Sequence, residues 1–294
     1  MTETGQAVDQ LVQLLDLEQI EVSIFRGVSP SVGPQRVYGG QVAAQALVAA
    51  GRTVDAERMV HSLHGYFVRP GDPTVPIVYT VENIRDGHSF SVRRTVAVQH
   101  ARPIFLMAAS FHRPESGLDH AAEGPLDVPP PEQLPTMADR LSRYPERLGI
   151  WAEIPRPIDV RYVGEPGWVR SGDRPAEPRQ RVWMRFDGTL PDDPVLHACL
   201  LAYASDLTLL DSVLSVHGEV WGPGGFIGAS LDHALWFHRP FRVDEWFLYD
   251  CWSPSASAGR GLATGRLLDR EGRNIATAVQ EGLLRPVRGT RSPS

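Results

Sequence analysis

Two stretches decide the fold when one is set above the other: "HGYFVRPGDPTVPIVYTVENIRDGHSFSVRRTVAVQHARPIFLMAASFHRP", residues 64–114, and "HALWFHRPFRVDEWFLYDCWSPSASAGRGLATGRLLDREGRNIATAVQEGLLRP", residues 233–286. Both begin with histidine and place aromatics before an Arg-Pro pair, Arg69-Pro70 and Arg239-Pro240. Both close on another, Arg113-Pro114 and Arg285-Pro286. Self-similarity over this length means that one structural unit is used twice. Within each copy the apolar residues recur with period two. Val75, Ile77, Tyr79 and Val81 alternate, as do Phe90, Val92, Val96 and Val98, before the apolar run "PIFLMAASF". In the second copy Trp246, Leu248 and Trp252 alternate, and "NIATAVQEGLL" follows the turn "DREG". This is the period of strands, three or more antiparallel ones per copy.

Upstream of each meander lies a helical segment, "GGQVAAQALVAAG" (39–51) and "PVLHACLLAYASDL" (194–207), the second opened by Pro194 after two aspartates. Short strands precede them in "EVSIFRG" and "RVWMRFDG". A helix that is apolar nearly all round needs cover on most sides, and a curved antiparallel sheet supplies it. The order of elements therefore predicts an α+β double hot dog, two tandem repeats each wrapping a sheet around a central apolar helix. The expected division is residues 1–114 for the first repeat, 115–158 for a proline-rich linker with one short helix at "MADRLSRY", 159–288 for the second repeat and 289–294 for a disordered tail. Residues 6–17 read as an amphipathic helix through Val8, Leu11, Leu14 and Leu15.

Composition narrows the function. With 42% hydrophobic and 22% charged residues in 294, the chain is expected to fold around a large core or two fused smaller ones. Its net charge of -6 and the lack of a basic stripe argue against nucleic acid as a partner. No apolar run reaches the length of a membrane span, and the N-terminus lacks signal-peptide character, so the expected location is cytoplasmic. Cys199 and Cys251 stand far apart, without a CxxC or histidine at ligand spacing, so neither a disulfide framework nor a metal site is expected. No nucleophile elbow, phosphate loop or HExxH occurs, and "GPGGFIG" (222–228) follows no strand as a dinucleotide loop must. No cofactor is expected.

Asp206, in "YASDLTLLDSVL" (203–214), sits in an apolar run where an ionised carboxylate is costly unless it is bonded. In "SLDH" (230–233) an uninterrupted strand would put Ser230 and Asp232 on one face and His233 on the other, which breaks any triad and isolates the Ser230 hydroxyl. In "IATAVQEG" the face of Ala276, Ala278, Gln280 and Gly282 carries one large polar group, Gln280, on a strip of small residues that lets a helix lie close. An acid, an amide and a hydroxyl so placed would make a general-base site for hydrolysis. Each residue also has a plain structural reading: Asp206 as a helix C-terminal residue, Gln280 as a solvent-facing strand residue, Ser230 as a loop cap.

On "VYGGQVAAQAL", "HSLHGYFVRPGDP", "RDGHSFSVRRTVAVQ", "YASDL", "SLDHALWFHRPF" and "ATAVQEGLLR", in this order along nearly the whole chain, the sequence resembles the acyl-CoA thioesterase II (TesB-like) family of double hot dog proteins. The resemblance implies hydrolysis of medium- or long-chain fatty acyl-CoA to acid and CoA, with Asp206, Ser230 and Gln280 activating water. It also implies a homo-oligomer, dimer or tetramer. Beside it, the amides of Gly39 and Gly40 are candidates for the oxyanion contact, and His61, Arg69, Arg93 and Arg239 for substrate contact, the arginines towards CoA phosphates, although Arg-Pro corners are as often structural. A non-catalytic acyl-CoA-binding protein and a hot dog dehydratase are the other readings. Aligning "HSLH" (61–64) with "SLDH" sets His61 against Ser230, while the first-repeat counterparts of Asp206 and Gln280 fall in "LVAAG" and "LMAAS", without acid or amide. One site, in the second repeat, is expected.

Overall fold

The computed structural model describes residues 3–30, 36–122, 124, 127–143, 157–166, 177–222 and 224–287; the tail expected at 289–294 lies outside them. The first repeat comprises α1 (Glu3–Leu15), β1 (Glu18–Glu21), β2 (Ile24–Gly27), α2 (Gly39–Gly51), β3 (Met59–Phe67), β4 (Ile77–Asp86), β5 (Phe90–Gln99) and β6 (Arg102–His112). After a linker carrying α3 (Met137–Leu141), the second comprises β7 (Ile158–Val163), β8 (Arg179–Phe186), α4 (Pro194–Ser205), α5 (Asp211–Ser215), β9 (Phe226–Ser230), β10 (Asp232–Phe237), β11 (Phe247–Ser257), β12 (Arg260–Leu268) and β13 (Asn274–Pro286). All ladders are antiparallel and form one sheet in the order β1-β2-β4-β5-β6-β3-β10-β13-β12-β11-β8-β7, with β9 also on β13. The repeats meet at β3 and β10, where Leu63 lies opposite Leu235 and Tyr66 opposite Asp232. This is the double hot dog architecture.

Alanine and leucine make α2 a good helix, and ten of its thirteen residues are buried, so it is the central helix that the sheet wraps. Of its two buried glutamines, Gln45 is fully used, its Nε2 donating to the carbonyls of Leu14 and Val28 and its Oε1 accepting from Tyr79, while Gln41 Nε2 donates to Val28 O and Ser29 Oγ. The second central helix, α4, starts where Asp193 Oδ1 accepts the amides of Val195 and Leu196 and Pro194 occupies the first turn. The two helices pack antiparallel. A Cβ built on Gly40 would lie 2.5 Å from the carbonyl oxygen of Tyr203, near the end of α4, and one on Gly51 would lie 3.3 Å from Val195 Cγ1, near its start. The missing side chain at 40 is thus what lets the N-terminus of α2 touch the C-terminus of α4.

The linker is not a free spacer. Trp183 Nε1 donates to Pro129 O and Arg161 Nη1 to Pro131 O, and Val128 and Leu134 cover an outward-facing cluster of Trp183, Trp246, Leu248 and Leu268. The outer sheet face of the second repeat is therefore roofed in part by the chain itself. On the first repeat Tyr66 and Leu106, paired across β3 and β6, stay exposed. No helix among the described residues is long and apolar enough to cross a membrane.

Inside the second repeat, small residues set the sheet-to-helix distance. A Cβ on Gly265 would come within 2.3 Å of Tyr249 Cε2 and 3.1 Å of Leu209 Cδ1. Tyr249 cannot swing aside freely, because its hydroxyl donates to Ser205 O at the end of α4. Gly265→Val should therefore cost about 2 kcal/mol or more of unfolding free energy through overpacking, read by chemical denaturation; an unchanged midpoint would contradict this packing.

Candidate active site

Asp206 is the C-cap of α4 and the meeting point of three elements. Its Oδ1 accepts from Gln280 Nε2 on β13 at 2.5 Å and from Ser230 Oγ at the end of β9 at 3.2 Å. On its other side stands the N-terminus of α2: a Cβ on Gly39 would be 2.8 Å from Asp206 Oδ2 and 3.0 Å from the Phe67 ring. That helix start has no side-chain cap from its N-cap residue, Tyr38; its Gly40 amide bonds the Asp206 carboxylate. Tyr38 instead donates its hydroxyl to Tyr203 O, and the two rings meet edge to face. Burial pushes the Asp206 carboxyl up to about 6; bonds from Gln280, Ser230 and the Gly40 amide favour the charge and offset only part of this. Gln280 is wholly buried, and its Oε1 has no partner. A buried amide with one end bonded to the acid and the other bare is an acceptor awaiting a donor. Its solvent-facing reading is thereby excluded, while Asp206 is a helix C-cap as well as a candidate acid.

A β-bulge brings Ser230 and His233 to the same side. Ser230 lies opposite Gly282, and Ala234 opposite Val279, so three residues, 231 to 233, face two, 280 and 281. The simple alternation expected for "SLDH" is broken there, which corrects the assignment of His233 to the other face. Asp232 braces the bulge by accepting the Glu281 amide at 2.7 Å. His233 turns inward, 1% exposed, with Nε2 2.8 Å from Ser205 Oγ. Ser205 gives its one hydrogen to Ala202 O, so Nε2–H of His233 is assigned as the donor. Burial lowers this imidazole to about 4, so it is neutral. Together with the Tyr249 bond to Ser205 O, it fixes the residue that precedes the acid. In the sequence Asp232 and His233 read only as members of a broken triad, because a two-against-three count needs both strands.

The structure gathers Asp206, Ser230, Gln280, Gly39 and Gly40, and leaves the other candidates elsewhere. His61 is the bulged residue of β3, between the pairs Val60–Phe111 and Ser62–Ser110, with Nε2 2.8 Å from Ser110 Oγ and its ring against Phe90 and His112. It lies six residues, about 20 Å of strand, from Phe67 at the Asp206 site. With Arg69 set on Arg239, Val60 falls on Ser230 and His61 on Leu231, so the alignment of His61 with Ser230 is corrected by one residue. On the same register Ala109 stands where Gln280 does. Arg93 is a buried clamp, 2% exposed, spending its guanidinium on Thr53, Asn83, Arg85 O, Val92 O and Asp86, with none left for a ligand. Arg69 is exposed and donates to Pro103 O. Among the described residues no group of three metal-ligating side chains gathers, and both cysteines are free and buried.

The acyl-CoA thioesterase family model matches residues 157–283, and the model of an acyl-CoA thioesterase N-terminal domain matches residues 27–112. Human acyl-coenzyme A thioesterase 8 is 42% identical over 284 residues, covering 92% of this chain and 88% of that protein. Acyl-CoA thioesterase 2 of Haemophilus influenzae is 39% identical over 284 residues, covering 95% and 98%. Among solved structures, the acyl-CoA thioesterase II TesB2 of Mycobacterium marinum is 45% identical with a TM-score of 0.77, covering 95% of this chain and 99% of that one. A hot dog protein of Alicyclobacillus acidocaldarius at 20% identity and TM-score 0.75, covering 94% and 98%, shares the fold.

The raised Asp206 carboxyl has a stability consequence. A carboxylic acid whose folded pKa, about 6, exceeds its ordinary 3.8 contributes stability that is full at low pH and lost as pH rises through the folded value. Asp206→Asn keeps an oxygen acceptor for Gln280 and Ser230 without that loss. The variant should melt at a higher temperature than the parent at pH 8, and the gap should close near pH 4; a lower melting temperature at pH 8 would contradict the enclosed, destabilised carboxylate.

Proposed function

From the premise that the chain belongs to the acyl-CoA thioesterase family, whose members hydrolyse acyl-CoA thioesters, we propose that this site does so with Asp206 as general base and no covalent intermediate. The observation that carries the reading is the bare Oε1 of buried Gln280 beside the Asp206 carboxylate. A water donating one hydrogen to each would satisfy the orphan acceptor and hold its lone pair towards a thioester carbonyl. Asp206 takes the proton as the water oxygen bonds to the carbonyl carbon. The resulting oxyanion meets the start of α2, the positive end of the helix dipole. Collapse of the tetrahedral intermediate breaks the C–S bond, and the proton on Asp206 goes to the departing CoA thiolate. Ser230 keeps the carboxylate turned by donating to Oδ1, and the missing side chains at Gly39 and Gly40 let the start of α2 lie against Asp206 and Tyr203.

A dehydratase would need an imidazole facing the substrate opposite the acid. The nearest candidate, His233, is buried and bonded to Ser205. We further infer a medium- or long-chain substrate and a homo-oligomer. The support for assembly is the uncovered outer face around Tyr66 and Leu106 together with the exposed Ile20 and Val22 at the β1 edge.

A free-thiol assay across acyl-CoA chain lengths should show CoA release without added metal or nucleotide, with kcat/KM falling on the acid side of pH 6, where the base is protonated. Asp206→Asn should lower kcat by roughly 10² to 10⁴ with substrate binding largely kept, and His61→Ala far less. Near-normal turnover in Asp206→Asn with an inactive, folded His61→Ala would sink the assignment. Light scattering at micromolar concentration should give a multiple of the chain mass; a monomer would refute the assembly.

A further inference from the structure

The two Arg-Pro corners are built alike and used differently. In the second repeat Arg239 Nη1 donates to Asn274 O while the His238 amide donates to Ile275 O; in the first, Arg69 Nη1 donates to Pro103 O while the Val68 amide donates to Ile104 O. The remaining face of the second corner is taken by the linker. Arg239 Nη2 donates to the Asp119 carboxylate and to His120 O, and Arg270 in the adjoining turn donates to the Glu132 carboxylate. The chain's own acids thus show what such a corner binds, an oxyanion that accepts from a guanidinium nitrogen.

In the first repeat the corresponding residues open onto a depression of about 360 Å³ lined by Arg69, Arg102, His100, Asp72, Gln99 and Ile104. His100 stands where Arg270 does, one turn of chain along from Arg102. Among the described residues no linker carboxylate reaches Arg69 or Arg102. The one acid on the wall, Asp72, accepts from the Thr74 amide and hydroxyl, with His100 Nε2 3.6 Å away. Gln99 spends its amide on the backbone of Asp72 and Val75. The turn that presents His100 and Arg102 is held in an uncommon form: His100 and Ala101 both have positive φ, 49° and 57°, where the corresponding turn of the second repeat uses Gly272.

We propose that this corner binds the phosphate groups of CoA, a ligand class that rests on the thioesterase reading. Its place suits that role. Phe67, whose ring touches Gly39 at the site, is two residues, about 7 Å of chain, from Arg69. Gly71 packs on Val37, two residues before Gly39. One loop therefore joins the wall of the reacting site to the basic corner, in the sense that the pantetheine arm joins a thioester to its phosphates. The strand register also gives a reason for only one such corner, since Asp119 and Glu132 occupy the other.

The test compares acyl-CoA with the same acyl group on pantetheine, which carries no phosphate. Arg69→Ala and Arg102→Ala should each lower the ratio of kcat/KM for acyl-CoA over acyl-pantetheine by about tenfold, the order for losing a hydrogen bond to a charged group, through KM and less so at high salt. Arg239→Ala, at the corner the linker occupies, should leave that ratio unchanged. Calorimetry of CoA itself reads the corner without turnover and should show about tenfold weaker binding in Arg69→Ala. An unchanged ratio with unchanged CoA binding in both first-corner variants, or an equal fall in Arg239→Ala, would overturn the proposal. Wild-type protein that hydrolyses neither thioester yet binds CoA through Arg69 would instead overturn the thioesterase reading and leave the corner standing.

Discussion

The contact on which the rest depends is the one between the start of α2 and the end of α4. No side chain fits at residue 40 beside the Tyr203 carbonyl, nor at residue 39 beside the Asp206 carboxylate. Each glycine costs helix propensity, yet here they close the distance between two helix ends of opposite polarity. Asp206 belongs by sequence to the negative end of α4 and by position to the positive end of α2. Its environment is therefore set by packing: enclosed enough to raise its pKa, bonded enough to remain ionisable near neutral pH. Everything else at the site, from the bulge to the Tyr249 anchor, serves to keep that carboxylate where the two helix ends place it.

Duplication has made the frame nearly symmetric and the chemistry one-sided. The opposite end of the same helix pair brings the start of α4 to the end of α2. There Asp193 caps the first amides, Pro194 removes another donor, and the C-cap of α2 is Arg52, bonded to Leu17 O and Asp16. An oxyanion has no free amides to meet there, and the acids at this end, Asp193 and Asp16, are engaged by those amides and by Arg52. The linker adds a second asymmetry by roofing one outer face and filling one Arg-Pro corner. Two ancestral halves thus divide the work, the first lending a helix end and the Phe67 wall, the second lending acid, hydroxyl and amide.

The periodicities that follow from local chemistry were legible in the chain. The two central helices, the antiparallel strands and the repeat itself appear from alternation and composition alone, because burial of a sheet face leaves a period of two and a wrapped helix leaves an unbroken apolar run. Gln280 was singled out because small residues share its face. The bulge at 231–233 was not legible, since it arises where β9 and β10 face β13, with β11 and β12 between them in the chain, and with it went the inward turn of His233 and the brace from Asp232. Arg93 shows the opposite error. As a basic residue it was a candidate for CoA phosphates, but Asp86 and Asn83 from the neighbouring strand and Thr53 from beyond α2, with the Arg85 and Val92 carbonyls, take its donors.

The buried Gln280 makes the last link between fold and chemistry. An amide with one unsatisfied end in a closed interior is destabilising, by the order of 1–3 kcal/mol on general grounds, and an apolar residue would pack more favourably on the same strip of alanines. The fold tolerates it where the alanines and glycines of β13 leave room and where its other end can reach Asp206. A raised carboxyl pKa and a bare acceptor lie beside a helix end whose Gly40 amide already bonds the carboxylate. The two are separate costs to stability, and a water that donates to both oxygens relieves them together.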